Sequence, residues 1–174
     1  LGGRPAMISA ATGAVALVIA PVARDYGLDY FLATVILAGR TVAKLEQVFD
    51  QILALNTAEP VIYPIDLEGA KQDDYHQLAV ALDNQFGRLD ALLLNAGILG
   101  QRTPLNNYRQ DVWDKVLKVN VSAQFQMTQA LMPVLEKSTD ASVVFTTSSV
   151  GKVGRAFWGA YGVSKFAVEG MVQT

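Results

Sequence analysis

The chain has 174 residues, 51% of them apolar, a formal net charge of −2, no cysteine and a single histidine. That length is enough to bury a sizeable core in one domain, and the slight negative charge without a basic run excludes an electrostatic nucleic-acid surface. The lack of cysteine excludes disulfides and thiolate metal sites, and His76, in a polar helical stretch, cannot build a metal site alone, so no metal is expected.

Taken in order, Met7 to Gly13 reads as a first strand entering a turn. Ala6 to Ala23 is also apolar and follows Arg4, which admits a second reading as a leader ending near Ala20-Pro21-Val22-Ala23. Ser9, Thr12 and Gly13 interrupt that stretch, and it is too short and broken for a membrane span, so no membrane partner is expected. From Ala33 the pattern is regular. Thr34 to Ala38 is a buried strand, and Thr41 is placed to cap a helix whose apolar positions, Val42, Leu45, Val48, Phe49, Ile52 and Leu53, recur at helical spacing. Val61 to Ile65 is a third strand ending at Asp66. A second helix carries Tyr75, Leu78, Leu82 and Phe86, with Gly87 set to stop it. Leu89 to Leu94 is a fourth strand. A long helical region runs from about Tyr108 through Leu135, with Pro133 near its far end.

The last stretch holds the chemistry. Val143 to Thr147 is a β-branched and aromatic run that reads as a buried strand. Ser148 and Ser149 follow at its end, then a loop punctuated by Gly151, Gly154 and Gly159, then an apolar helix carrying Tyr161 and Lys165. Strands alternating with helices mean a parallel sheet covered on both faces: an α/β, three-layer, doubly wound architecture, and one domain over residues 1–174, with no repeat or linker.

Tyr161 and Lys165 are four residues apart and share a helix face, and a hydroxyl at the strand end can reach the same spot. A free tyrosine titrates near 10, too high for proton transfer at neutral pH. An ammonium about 4 Å from a phenol, at an effective dielectric near 20, favours the phenolate by roughly 4 kcal/mol. Such a pair is a usable acid/base, with a serine to hold a carbonyl or alcohol oxygen. The plain alternative is an exposed pair on an ordinary helix. A serine hydrolase fits poorly, since the chain has no Gly-x-Ser-x-Gly and only His76 as base.

The wider pattern is more specific. Ser148, Tyr161 thirteen residues on and Lys165 four further, together with Leu94-Asn95-Ala96-Gly97 and with Asn120 in Lys118-Val119-Asn120-Val121, resemble the signature of short-chain dehydrogenases/reductases. The agreement runs from about Ala33 to the end of the chain. The resemblance implies a Rossmann-like fold and an oxidoreductase moving hydride between NADP(H) and a small carbonyl or alcohol substrate. It assigns catalysis to Asn120, Ser148, Tyr161 and Lys165: Tyr161 passes the proton, Lys165 binds the nicotinamide ribose and eases Tyr161 ionisation, Ser148 orients the reacting oxygen, and Asn120 helps hold Lys165 through a water.

Around the cofactor, the resemblance assigns Thr12 and Gly13 to the pyrophosphate turn, Asp66 and Leu67 to the adenine, and Ala96 and Gly97 to backbone room. Asn95 would tie neighbouring strands. A carboxylate ending the second strand would select NAD; this chain has Gly39-Arg40 there, which favours the 2′-phosphate of NADP, with NAD as the alternative. A cytoplasmic homo-oligomer is implied. Two departures stand out. Leu17 and Ile19 occupy positions where glycines would let a pyrophosphate approach, which also admits a non-catalytic Rossmann-like protein with a degenerate cofactor loop. The family continues for two more strands and a substrate-covering segment beyond the Tyr-Lys helix. A sheet incomplete at its C-terminal edge is therefore expected, and the substrate is not legible.

Overall fold

Alternate residues of one short strand set the layers of this molecule. In β2 (Val35–Gly39), Val35 and Leu37 pack with Leu45, Val48 and Ile52 of α1 (Val42–Leu53), while Ile36 and Ala38 join the larger core on the other face. That two-sided burial is what an apolar strand in a parallel sheet requires. The computed structural model describes residues 6–9, 35–54 and 59–174. Thr12, Gly13, Leu17 and Ile19, and most of the leader-like stretch, lie outside the described residues.

The remaining elements are β1 (Ala6–Ser9), β3 (Val61–Pro64), α2 (Gln72–Phe86), β4 (Ala91–Leu94), α3 (Gln110–Leu117), α4 (Ala123–Leu135), β5 (Ser142–Phe145) and α5 (Gly159–Val172). The five strands form one sheet in the order β3-β2-β1-β4-β5, and every pairing is parallel. This is the α/β, three-layer, doubly wound arrangement. The order turns outward in both directions from β1, so the connections on either side of it diverge and leave a crevice at the C-terminal strand ends. Leu92 and Leu94 of β4 join the larger core beneath Tyr75, Leu78 and Leu82 of α2 and Met127 and Leu131 of α4. Gly87 stops α2 in the left-handed region at φ 73°, where glycine carries no steric penalty.

Several expectations are corrected. The run expected as a buried strand over Val143–Thr147 forms β5 at Ser142–Phe145, open on both faces of the sheet, Val143 at 37% and Val144 at 52%. Its β-branched composition suits a pleated surface, but burial needs a neighbour, and among the described residues no strand pairs on its far side. Thr41 begins α1 without a side-chain cap; its carbonyl alone accepts from the Lys44 and Leu45 amides. The helical region expected over 108–135 is present from Gln110 to Leu135, with a π turn at Lys118–Ser122 between α3 and α4. Among the described residues no helix is long and apolar enough to cross a membrane.

Tyr75 is fully buried in the larger core, and its hydroxyl has no hydrogen-bond partner among the described residues. Burial, then Asp74 and Asp66, pushes the phenol up to about 12. Because the folded value lies above the unfolded one, the protonated Tyr75 contributes stability that is fully present below about pH 10 and lost as pH rises towards 12. Tyr75→Phe is expected to be as stable as the parent or more so by about 1 kcal/mol at pH 7, since it removes an unpaired buried group. It should also lose less stability than the parent between pH 10 and 11.5. Urea titrations across that range check both; a variant with the parent's pH profile contradicts the assignment.

Candidate active site

The end of β4 leads into Asn95-Ala96-Gly97, and side chains hold this segment in place. The Thr146 hydroxyl donates to Asn95 Oδ1 at 2.9 Å, joining the ends of β4 and β5. The buried Gln124 amide donates to the Ala96 carbonyl at 2.9 Å. Asn120 then pairs with Ile98 in both directions, accepting from its N–H at 2.8 Å and donating to its carbonyl at 2.9 Å. Asn120 is fully buried within the π turn, whose extra residue per turn re-aims its side chain relative to the flanking helices. Its second amide proton goes to Ser164 Oγ at 3.0 Å, and Ser164 donates to the Tyr161 carbonyl at 2.7 Å. One side chain thus couples the β4 loop to α5. Its side-chain partners are Ile98 and Ser164, so it positions Lys165 by holding the residue beside it.

Lys165 is only 2% exposed. Its Nζ donates to the Thr146 carbonyl at 2.6 Å, just past β5, and lies 5.7 Å from the centre of the Tyr161 ring. Burial pulls its pKa below the ordinary lysine value. Of the two glycines beside this lysine, Gly97 lies at ordinary contact distance and Gly151 is where close approach requires a glycine. A Cβ on Gly97 would sit 3.5 Å from Asn120 Oδ1 and 3.7 Å from Lys165 Nζ. A Cβ on Gly151 would come within 2.9 Å of the Lys165 carbonyl and of Thr147 Oγ1. The turn at Ser149–Gly151 can therefore lie directly on α5, and extended Ser148 opens that turn, its carbonyl accepting from Gly151 at 2.9 Å. Tyr161 is half-buried, and the Trp158 ring packs against it at 5.8 Å.

On the other side of the strand ends lies a cavity of about 430 Å³ lined by Gly39, Arg40, Asp66, Leu67, Ala96 and Gly97, with Lys44, Glu68 and Lys115 also at its wall. Arg40 is exposed, 3.8 Å from Glu68, and the same Glu68 oxygen accepts from Lys115 at 2.7 Å. Asp66 holds a tight turn, its carbonyl accepting from the Gly69 and Ala70 amides and its carboxylate from Glu68 N–H at 3.3 Å. Sequence reasoning missed Lys44, Glu68 and Lys115, because their neighbourhood is created by the meeting of α1, the β3 loop and α3 and carries no local motif. Asn120, Tyr161 and Lys165 are brought together around α5, and Arg40, Asp66, Leu67, Ala96 and Gly97 around the cavity.

An open cavity at the point where strand order reverses, next to a buried lysine and a tyrosine on one helix, is the arrangement of a doubly wound α/β scaffold with its crevice at the strand ends. Residues 28–174 match the short chain dehydrogenase family model. The chain is 45% identical over 154 residues to the uncharacterized oxidoreductase YciK of Escherichia coli K12, covering 87% of this chain and 61% of that relative. A short chain dehydrogenase structure from Pseudomonas syringae is 45% identical with a TM-score of 0.87, covering 99% of this chain and 69% of that one. Another, from Escherichia coli CFT073 and complexed with NADPH, is 43% identical with a TM-score of 0.88, over 99% of this chain and 70% of that one. The chain belongs to the short-chain dehydrogenase/reductase family. It spans about three fifths of the length of the curated relative YciK.

Asn120→Ala is expected to lower the unfolding free energy by about 2–4 kcal/mol, because it strands Ile98 and Ser164 in a buried network. Ser148→Ala, which removes a half-buried hydroxyl, should stay within about 0.5 kcal/mol of the parent. Denaturant titration of both variants checks the contrast; equal losses would mean that Asn120 is not the tie between the β4 loop and α5.

Proposed function

We propose that this chain is the dinucleotide-binding and catalytic portion of an NADP(H)-dependent oxidoreductase acting on a carbonyl or alcohol substrate. The observation that carries the reading is the buried Lys165 ammonium, fixed on the Thr146 carbonyl beside Tyr161. An ammonium has three protons, and Thr146 is the one acceptor it has among the described residues. Two remain to donate to ribose hydroxyls, and Gly97, whose absent Cβ would lie 3.7 Å from Lys165 Nζ, leaves that side of the ammonium open to a ligand. These residues fit a nicotinamide dinucleotide.

When bound, NADPH supplies the hydride. The rest falls to the chain. Tyr161 gives its phenolic proton to the substrate oxygen as the carbonyl becomes an alcohol, and takes it back in the reverse direction. Lys165 stabilises the phenolate left behind. The Ser148 hydroxyl donates to the same oxygen and aligns it. Asn120 holds α5 against the β4 loop so that these groups stay in register. At the far end, Asp66 and Leu67 would hold the adenine and Arg40 would pair with the 2′-phosphate, giving up its weak 3.8 Å contact with Glu68 for a charge-assisted one. The NADPH-bound relative from Escherichia coli supports that choice over NAD. Thr12 and Gly13 belong to the same reading as the start of the pyrophosphate turn. A single domain, a cytoplasmic location and a homo-oligomer are part of the proposal by family membership.

The test is NADPH oxidation in the presence of simple aldehydes and ketones. Tyr161→Phe is expected to lose at least 100-fold in kcat while NADPH affinity stays within a few-fold. Arg40→Ala should weaken NADPH, and not NADH, by about 1.5–3 kcal/mol. A Tyr161→Phe enzyme that keeps a substantial part of its rate would remove the proposed proton donor, and unchanged NADPH affinity in Arg40→Ala would remove the phosphate clamp.

A further inference from the structure

The reactive end of the site has a rim made of two loops, one from Gly97 to Tyr108 after β4 and one from Lys152 to Trp158 before α5. Tyr108 fastens them together. Gly100, at φ 70°, and Gly159, at φ 31°, both lack a Cβ where Tyr108 sits: added atoms would fall 2.5 Å from its hydroxyl and 2.4 Å from its ring. The Tyr108 oxygen also accepts from the Gln101 amide at 3.1 Å, and Gln101 Oε1 accepts from the Arg109 N–H at 3.2 Å. The next residue on that loop, Arg102, lays its guanidinium over the Trp158 ring at 4.9 Å. Trp158 in turn packs on Tyr161. One indole therefore separates the Arg102 charge from the ring of the proposed proton donor.

The charge on this rim is one-sided. Arg102, Lys152 and Arg155 are all exposed, and none has a carboxylate partner among the described residues. The sequence places no acid between Asp90 and Asp111 or between Asp140 and Glu169. Arg109 on the same loop is neutralised by a two-pronged bond to Asp111, at 3.0 and 2.6 Å, so the excess is confined to the side facing Trp158. Stacking on an indole orients a guanidinium while leaving its in-plane N–H groups free for an anion. Beside it, Phe157 is 54% exposed and is the described non-glycine residue with positive φ, at 68°. A strained backbone holding an apolar ring in solvent at a reactive rim points to a ligand-facing role.

We propose that the substrate is an anionic aldehyde or ketone with an apolar or aromatic body, its anion held by Arg102 against Trp158 and its carbonyl presented to Tyr161. This deepens the proposed oxidoreductase function and rests on it. The substrate carbonyl carbon gains a hydride from NADPH and its oxygen a proton from Tyr161, giving the alcohol and NADP⁺; the anionic group is unchanged. Lys152 and Arg155 raise the local potential and steer the anion to the rim.

The test pairs 4-formylbenzoate with its neutral methyl ester as substrates for NADPH oxidation. The acid is expected to have at least ten-fold the kcat/KM of the ester. Arg102→Gln should erase that preference through KM with kcat within two-fold, and Arg102→Lys should keep part of it. A second readout needs no cofactor: the indole N–H resonance of Trp158, assigned with Trp158→Phe, should shift on titration with benzoate but not benzamide, and not in Arg102→Gln. Equal use of acid and ester, or a benzoate shift unchanged in Arg102→Gln, overturns the proposal and leaves the oxidoreductase reading standing. A Trp158 shift that depends on Arg102 while no carbonyl is reduced upholds the anion site and removes the reductase reading instead.

Discussion

Burying an ammonium is among the costliest things a fold can do, and here Lys165 is buried against one carbonyl. Almost every local feature of α5 and its surroundings serves that placement. β5 must end where the Thr146 carbonyl can turn towards Nζ. Gly151 must be small for its turn to lie on the Lys165 backbone. Asn120 reaches the neighbouring residue, Ser164, only because a π turn interrupts the helix that carries it. Such a concentration of constraint around an unfavourable charge is the pattern of a functional centre, since a leucine in the same place would fold at lower cost.

The sheet divides the labour around that centre. Reversal of strand order at β1 opens a crevice, and the loops after β2, β3 and β4 line it. One end is walled by Arg40, Lys44 and Lys115, tempered by Glu68. Its other end is reached past a rim of exposed cations, of which Arg102 stacks on the Trp158 indole. The two ends are joined by the Ala96–Ile98 backbone, which Gln124 and Asn120 hold from behind. A ligand spanning the crevice would meet positive potential at both ends and apolar walls between them, a distribution suited to a dinucleotide followed by a small anion.

Periodicity made the architecture readable: short apolar strands, of which β2 is buried on both faces, amphipathic helices between them, and Gly87 at a left-handed helix end. Family membership was readable because Asn95-Ala96-Gly97, Asn120, Ser148, Tyr161 and Lys165 keep a fixed order and spacing. What escaped depends on the third dimension. The exposure of β5 is set by what lies beside it, not by Val143 and Val144 themselves. The helical region of 108–135 was legible, but the π turn within it carries no signal in the apolar period. Thr41 is a good capping residue by type, yet its side chain makes no cap. Arg102 and Trp158 are 56 positions apart in sequence and meet only because Tyr108 fastens their loops together.

Lys165→Met examines the central claim, that this ammonium is kept for chemistry and not for folding. Burial lowers the folded pKa below the unfolded 10.5, so between the two the unfolded chain binds more protons and parental stability rises with pH. As pH is raised towards 10.5, unfolding free energies should rise in the parent and stay flatter in the variant. At pH 7 the variant should equal or exceed the parent, by about 1 kcal/mol, while NADPH-dependent turnover is lost. A variant destabilised by more than about 1 kcal/mol at pH 7, with turnover falling only in step with the folded fraction, would make Lys165 a structural residue and contradict the claim.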